Sequence, residues 1–297
     1  MPRDKAQFEL LDQYVFQRNY ALALEAITEE VQRRPGNVNL LLRRAEILAL
    51  AGEREKAISA YRTVAENYAT QGFYARAIAV TNKIVRLDPG RQDVTKELAQ
   101  LIASQQEAEK EAEAKLKSAE KEGLEKLKTA EPPAPEVPQQ ETVADPVQQQ
   151  AERERAGSRF FAEFPQAALE KLLYAAAVHS FEADEVIVQE GDPGTSFYLI
   201  AEGDLAVRTN DPSGKPMTLA QLGAGEFFGE VAVLTGKPRT ATIVAQTPAT
   251  VIEISGGELD RIAGEFPEVR SVLQRFYERR ARATAEAMLA RIRGGHA

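Results

Sequence analysis

The stretch FFGEVAVLTGKPRTATIVA, residues 227–245, sets one carboxylate, Glu230, and one guanidinium, Arg239, in a largely apolar run, with Lys237 in a loop position between them. A buried charge is costly unless something neutralises it, so the two either pair with each other or both receive a ligand. Read physically, residues 225–234 form a turn into one short helical segment whose exposed N–H groups, from about Gly229 onward, face an anion. Arg239, read at the head of the following strand, offers a planar fork that pairs bidentately with a phosphate. Glu230 has acceptors and no protons to give, which suits a neighbouring hydroxyl such as a ribose 2′-OH.

Other chemistry-bearing patterns fail on spacing. Gly223, Gly225 and Gly229 make a G-x-G-x-x-x-G one residue too long for a dinucleotide fingerprint, and TGKPR lacks the Ser or Thr that follows a P-loop lysine. There are no cysteines and two histidines, His179 and His296, so no thiolate nucleophile, disulfide framework or metal-ligand spacing exists. Nothing supplies a local hydrolase signature, and a non-enzymatic protein with no cofactor and no metal is expected. The net charge of -8 opposes a phosphate backbone over most of the surface, so no DNA partner is expected, and few residues follow the last helix before Ala297 to build a DNA-reading motif. The start, MPRDKAQFEL, lacks a signal-peptide core, and no run approaches the roughly 18 apolar residues of a membrane span. A cytoplasmic location without membrane insertion follows as the expectation.

The elements around Glu230 and Arg239 read as short strands: VIV (186–188), FYLI (197–200), LAV (205–207), MTLAQL (217–222), TATIVA (240–245) and TVIEI (250–254). Turn signals separate them, GDPG at 191–194, EGD at 202–204 and NDPSGKP at 210–216, and the spacing predicts a small antiparallel barrel or jelly roll. A helical entry, SRFFAEFPQAALEKLLYAAA, precedes the strands, and helices follow Ser255.

The first ninety residues are helical by pattern and repetitive. Ala23 and Ala57 stand 34 residues apart, each followed four residues later by a bulky residue (Ile27, Tyr61), with Ala45, Leu48 and Gly52 ahead of Ala57. A third unit centres on Ala77 with Ala65, Tyr68 and Gly72 ahead of it, so that one helix, about residues 53–70, serves two successive hairpins. This pattern resembles a tetratricopeptide repeat, which implies a protein partner for residues 1–90. Residues 91–130 carry Glu/Lys pairs at i,i+4 such as Glu111 to Lys115 and predict a long, charged, solvated helix. Residues 131–151, rich in proline and glutamine, predict a disordered linker, and the compact C-terminal domain spans 152–297. A slack tether of this kind transmits no strain, so the two domains are expected to act without a fixed interface.

FGEVAVLTGKPRTAT closely resembles the phosphate-binding cassette of cyclic-nucleotide-binding domains, the family of the catabolite activator protein and of cyclic-AMP-dependent protein kinase regulatory subunits. The flank EADEVIVQEGDPGTSFYLIAEGDLAV is similar to that family's second to fourth strands. The resemblance implies that Arg239 grips the cyclic phosphate and Glu230 takes the ribose 2′-OH. It implies further that Gly229, Val231 and Ala232 contribute backbone, that Thr240 and Ala241 complete the cradle, and that Phe276, Tyr277 or Arg280 caps the base. The expected molecule is an α+β multidomain protein: a tetratricopeptide-like solenoid, a long helix and linker, and a C-terminal β jelly roll with flanking helices. As a bacterial-type cytosolic receptor or adaptor it would bind cAMP or cGMP; the alternative is a structural scaffold with a vestigial pocket.

Overall fold

Polar caps set the helix starts at the N-terminal end of the computed structural model, which describes residues 10–91, 93–127, 163–210 and 216–278. After α1 (residues 10–16), the Asn19 side chain accepts from the Leu22 N–H to open α2 (Tyr20–Arg33), and that of Asn37 accepts from the Leu40 N–H to open α3 (Val38–Leu50). Next come α4 (Arg54–Thr70), α5 (Tyr74–Leu87) and α6 (Asp93–Leu127). α4 packs on both α3 and α5, as a helix shared by two hairpins must, and buries Ala57, Tyr61, Val64 and Tyr68 along one face.

α6 differs from the solvated helix expected over residues 91–130. Its first turns bury Val94, Leu98, Ala99 and Ile102, and it packs on α4 and α5 and on α7 (Gln166–Ala175). Further along, Lys115 and Glu111 form the exposed i,i+4 pair that the charge pattern predicts, 3.9 Å apart. The buried apolar residues of these first turns serve a one-sided packing contact. The linker expected over 131–151 lies outside the described residues.

Among the described residues, eight strands form two antiparallel four-stranded sheets. They are β1 (Ala177–Phe181), β2 (Val186–Val188), β3 (Ser196–Glu202), β4 (Leu205–Asn210), β5 (Pro216–Leu222), β6 (Phe227–Phe228), β7 (Thr242–Ala245) and β8 (Ala249–Ser255). The orders are β1-β8-β3-β6 and β2-β7-β4-β5, a jelly-roll-like sandwich. Three helical segments interrupt or follow it: α8 (Glu230–Thr235) between β6 and β7, then α9 (Gly256–Glu265) and α10 (residues 268–278). The Ser255 hydroxyl caps α9 by accepting from the Glu258 N–H. β1 and the two-residue β6 add to the strands predicted from sequence, and β7 starts at Thr242, two residues later than TATIVA suggested.

The expectation of two domains without a fixed interface is overturned. Between the sheets lie Ile200, Leu205, Leu222, Phe228, Ile243 and Val251. The opposite face of the β1-β8-β3-β6 sheet presents Val178, Phe197, Leu199, Ile252 and Ile254, and these join Ile78, Ala77 and other residues of the helical region in one continuous core. α5 lies against β1, β3 and β8. Polar bonds fix the same seam: Asn82 Nδ2 donates to the Ala176 carbonyl at 2.7 Å, and the Arg86 guanidinium donates to the Val178 carbonyl. Direct packing therefore connects the helical region to the sandwich, and a linker's slackness is irrelevant to it. α5 buries Tyr74, Ala75, Ala77, Ile78, Ala79, Val80, Thr81 and Ile84, which spread over a wide arc of the helix, as expected of one with neighbours on two sides.

Candidate functional site

β6 ends at Phe228, and the chain turns into α8 through Gly229 at φ +89°, a left-handed conformation that L side chains rarely adopt. Glu230, Val231 and Ala232 form the first turn of α8; Glu230 is 5% exposed and Ala232 is buried. Gly236 closes the helix, and the chain returns through Arg239, Thr240 and Ala241 to β7. Arg239 thus lies in the connection before the strand instead of at its head. Thr240 is exposed and Ala241 half-buried.

The backbone of Arg239 is anchored to the preceding GDPG turn. Its N–H donates to the Asp192 carbonyl at 2.8 Å, and its carbonyl accepts from the Gly191 N–H at 2.9 Å. The side chain is 8% exposed. Nη1 donates to the Ser196 carbonyl at 2.9 Å and to the Gly229 carbonyl at 3.4 Å, and the guanidinium carbon lies 5.4 Å from the centroid of the Tyr198 ring. These partners are two carbonyls and a ring. The internal Glu230 to Arg239 pair that the sequence left open is not formed: among the described residues, no carboxylate lies within 4.0 Å of this guanidinium. Two carbonyls hold the arginine in place, but they leave its formal charge uncompensated.

Space for the arginine comes from a missing side chain. A Cβ on Gly194 would sit 2.3 Å from Nε, 2.6 Å from Cζ and 2.7 Å from Cδ of Arg239. A Cβ on Gly229 would lie 2.7 Å from both Nη1 and the Ser196 carbonyl oxygen.

Behind the arginine, Tyr198 stacks on Phe228 with centroids 4.8 Å apart and rings 10° from parallel. The Tyr198 hydroxyl donates to Glu253 Oε1 at 3.2 Å, and Glu253 Oε2 lies 2.8 Å from His179 Nε2. Burial, then the charge of Glu253, pushes the Tyr198 phenol above its ordinary value, while Arg239 pulls the other way. Burial raises the Glu253 carboxyl, but hydrogen bonds from Ser196 and Tyr198 and the nearby His179 together outweigh it and hold the group below the usual carboxylate range.

Of the residues assigned to the site from sequence, the structure brings Gly229 and Arg239 into contact and places Glu230, Val231 and Ala232 on the same short helix. Phe276, a candidate base cap, stands edge-on to Phe227 at 5.8 Å and packs into the shared core; Tyr277 is half-buried on the same helix. Arg280 lies outside the described residues. Sequence reasoning missed Gly194, the Ser196 carbonyl, Tyr198 and Glu253. A lone carboxylate in the apolar strand TVIEI was an available signal for Glu253, the same signal that singled out Glu230.

Residues 178–266 match the family model described as the cyclic nucleotide-binding domain. A cyclic nucleotide-gated potassium channel of Mesorhizobium japonicum is 29% identical over 121 residues, 41% of this chain and 32% of that protein. The cAMP-dependent protein kinase regulatory subunit of Dictyostelium discoideum is 33% identical over 93 residues, 30% of this chain and 28% of that protein. The chain thus spans about a third of the length of these curated relatives. A solved cyclic nucleotide-binding domain from Methylobacillus flagellatus is 26% identical, with a TM-score of 0.41 over 43% of this chain and 74% of that one. Over residues 178–266 the sandwich is similar to a cyclic nucleotide-binding domain.

Proposed function

We propose that the chain is a non-enzymatic receptor or adaptor that takes one cyclic mononucleotide, cAMP or cGMP, at Arg239. The observation that carries this reading is a guanidinium 8% exposed, held by two carbonyls, with no carboxylate within 4.0 Å among the described residues. A single cyclic phosphate monoanion supplies the missing charge, and the fork supplies two parallel donors to it. Glu230 accepts the ribose 2′-OH in this reading, while backbone groups of Gly229, Val231 and Ala232, with Thr240 and Ala241, line the phosphate. Phe276, Tyr277 and Arg280 are the base-cap candidates. The regulatory subunit of Dictyostelium discoideum, named for cAMP dependence, supports that ligand class.

In the same reading the helical region is a tetratricopeptide-like module that engages a protein partner in the cytoplasm. Among the described residues no helix is long and apolar enough to cross a membrane. The packing of α5 on β1, β3 and β8 supports one mechanical unit, in which ligand capture reaches the partner surface through shared core side chains.

The test is competition on the full chain among cAMP, cGMP and 5′-AMP. The open monophosphate brings a second negative charge towards Glu230, so at least one cyclic nucleotide should bind about tenfold or more tightly than 5′-AMP. Equal binding of 5′-AMP contradicts the assignment of Glu230. Binding of none of the three leaves a structural scaffold as the correct description.

A further inference from the structure

We infer that Tyr198 is a positioning residue for Arg239, held in turn by Glu253 and His179, and that it presets the guanidinium before any ligand arrives. The inference rests on the reading of Arg239 as the phosphate-binding group. β3 contributes two groups to the arginine two residues apart, the carbonyl of Ser196 at 2.9 Å and the ring of Tyr198 at 5.4 Å. A guanidinium at that distance from an aromatic centroid is attracted by the ring's negative face, more so where water is excluded.

The ring itself is fixed on two sides. In the antiparallel register Tyr198 opposes Phe228 on β6 and Glu253 on β8. Phe228 stacks under it at 4.8 Å, and Phe228 immediately precedes Gly229, whose carbonyl also accepts from Arg239. Glu253 takes the phenol's hydrogen bond at 3.2 Å, and β1 brings His179 within 2.8 Å of its other oxygen. Three strands of one sheet therefore converge on the orientation of one side chain. A side chain with four rotatable bonds loses much rotamer freedom when it grips a phosphate, and presetting removes that loss from the binding step.

The experiment uses the full chain as wild type, Tyr198→Phe and Tyr198→Leu, with melting recorded for each. In the ligand-free proteins, the arginine side-chain Nε–H resonances are followed by NMR, with Arg239→Ala giving the assignment. Arg239 should give an ordered, ring-shifted signal in wild type, a partly averaged one in Tyr198→Phe, which keeps the ring but loses its bond to Glu253, and a fully averaged one in Tyr198→Leu. With cAMP and cGMP as probes, Tyr198→Phe should bind about threefold more weakly than wild type, and Tyr198→Leu about tenfold more weakly. In an Arg239→Ala background Tyr198→Leu should have no further effect. An ordered Arg239 signal in Tyr198→Leu overturns the inference, as does an equal affinity loss whether or not Arg239 is present. If wild type binds neither nucleotide, the proposed function fails, and the ligand-free spectra still decide the role of Tyr198.

Discussion

Gly194→Ala separates the arginine's position from the stability of the fold. The added Cβ would sit 2.3 Å from Arg239 Nε and 2.6 Å from Cζ, distances that side-chain carbons do not tolerate. Its near neighbours all belong to one long side chain, and Gly194 is not at a positive φ, so the backbone can accept alanine. The strain is therefore relieved by moving Arg239. Folding loses the charge-assisted bond from Nη1 to the Ser196 carbonyl and a favourable rotamer, together about 2–4 kcal/mol. Binding loses charge-assisted hydrogen bonds, each about 1.5–3 kcal/mol, so affinity for cyclic nucleotide should fall by about one to two decades. Thermal melting and calorimetric titration on the same preparations make the comparison. Unchanged affinity in a folded Gly194→Ala protein would refute the reasoning, because it would mean that a displaced Arg239 costs the ligand nothing. Gly194→Ala added to Arg239→Ala should weaken binding no further.

Three other outcomes follow from the same geometry. Ile78, 3% exposed and buried with Phe197, Leu199 and Ile252 at the seam between helices and sheet, should cost about 2–5 kcal/mol when replaced by alanine; hydrogen exchange should quicken at β3 and β8 as well as α5, and a change confined to the helices would contradict the shared core. Because the Glu253 carboxyl is held below its ordinary value, the stability it contributes is present above the unfolded-state value and is lost as pH falls through the lower folded one; Glu253→Gln should flatten that acid limb of the melting profile, and an unchanged limb would remove Glu253 from the network. Thr240 is exposed beside the arginine, and Thr240→Ala should lower cGMP affinity by about 0.5–1.5 kcal/mol while sparing cAMP if its hydroxyl reads the base; loss for neither ligand would show that it faces solvent.

Much of the sandwich was legible because strand period and turn chemistry agree: GDPG and EGD fall between strands, and VIV, FYLI and LAV start within a residue of β2, β3 and β4. What escaped was burial on two sides. FYLIA is a continuous apolar run, and TVIEI is apolar on both faces at Val251, Ile252 and Ile254, the mark of a sheet covered on both sides; β3 and β8 have the second sheet on one face and the helical region on the other. Helix α5 carries the matching signal, with Ala77, Ile78, Ala79 and Val80 in an unbroken apolar run, yet a repeat spacing alone accounts for only one of its faces. At the candidate site, Arg239 stands out in the sequence by its charge and Gly229 by its place ahead of a short helix. The Ser196 carbonyl was not, since every residue has one, and Gly194 reads as a turn glycine although its role is to leave room for a side chain 45 positions away.

The central claim, that a buried guanidinium with no carboxylate partner among the described residues receives a cyclic phosphate, is tested most directly by calorimetric titration of wild type and Arg239→Ala with cAMP and cGMP. The account predicts one site per chain for wild type with at least one nucleotide, and a loss of about 3–5 kcal/mol, roughly two to three and a half decades, on removing the guanidinium. Equal affinity in the two proteins, or no heat from either nucleotide with folded wild type, would contradict it.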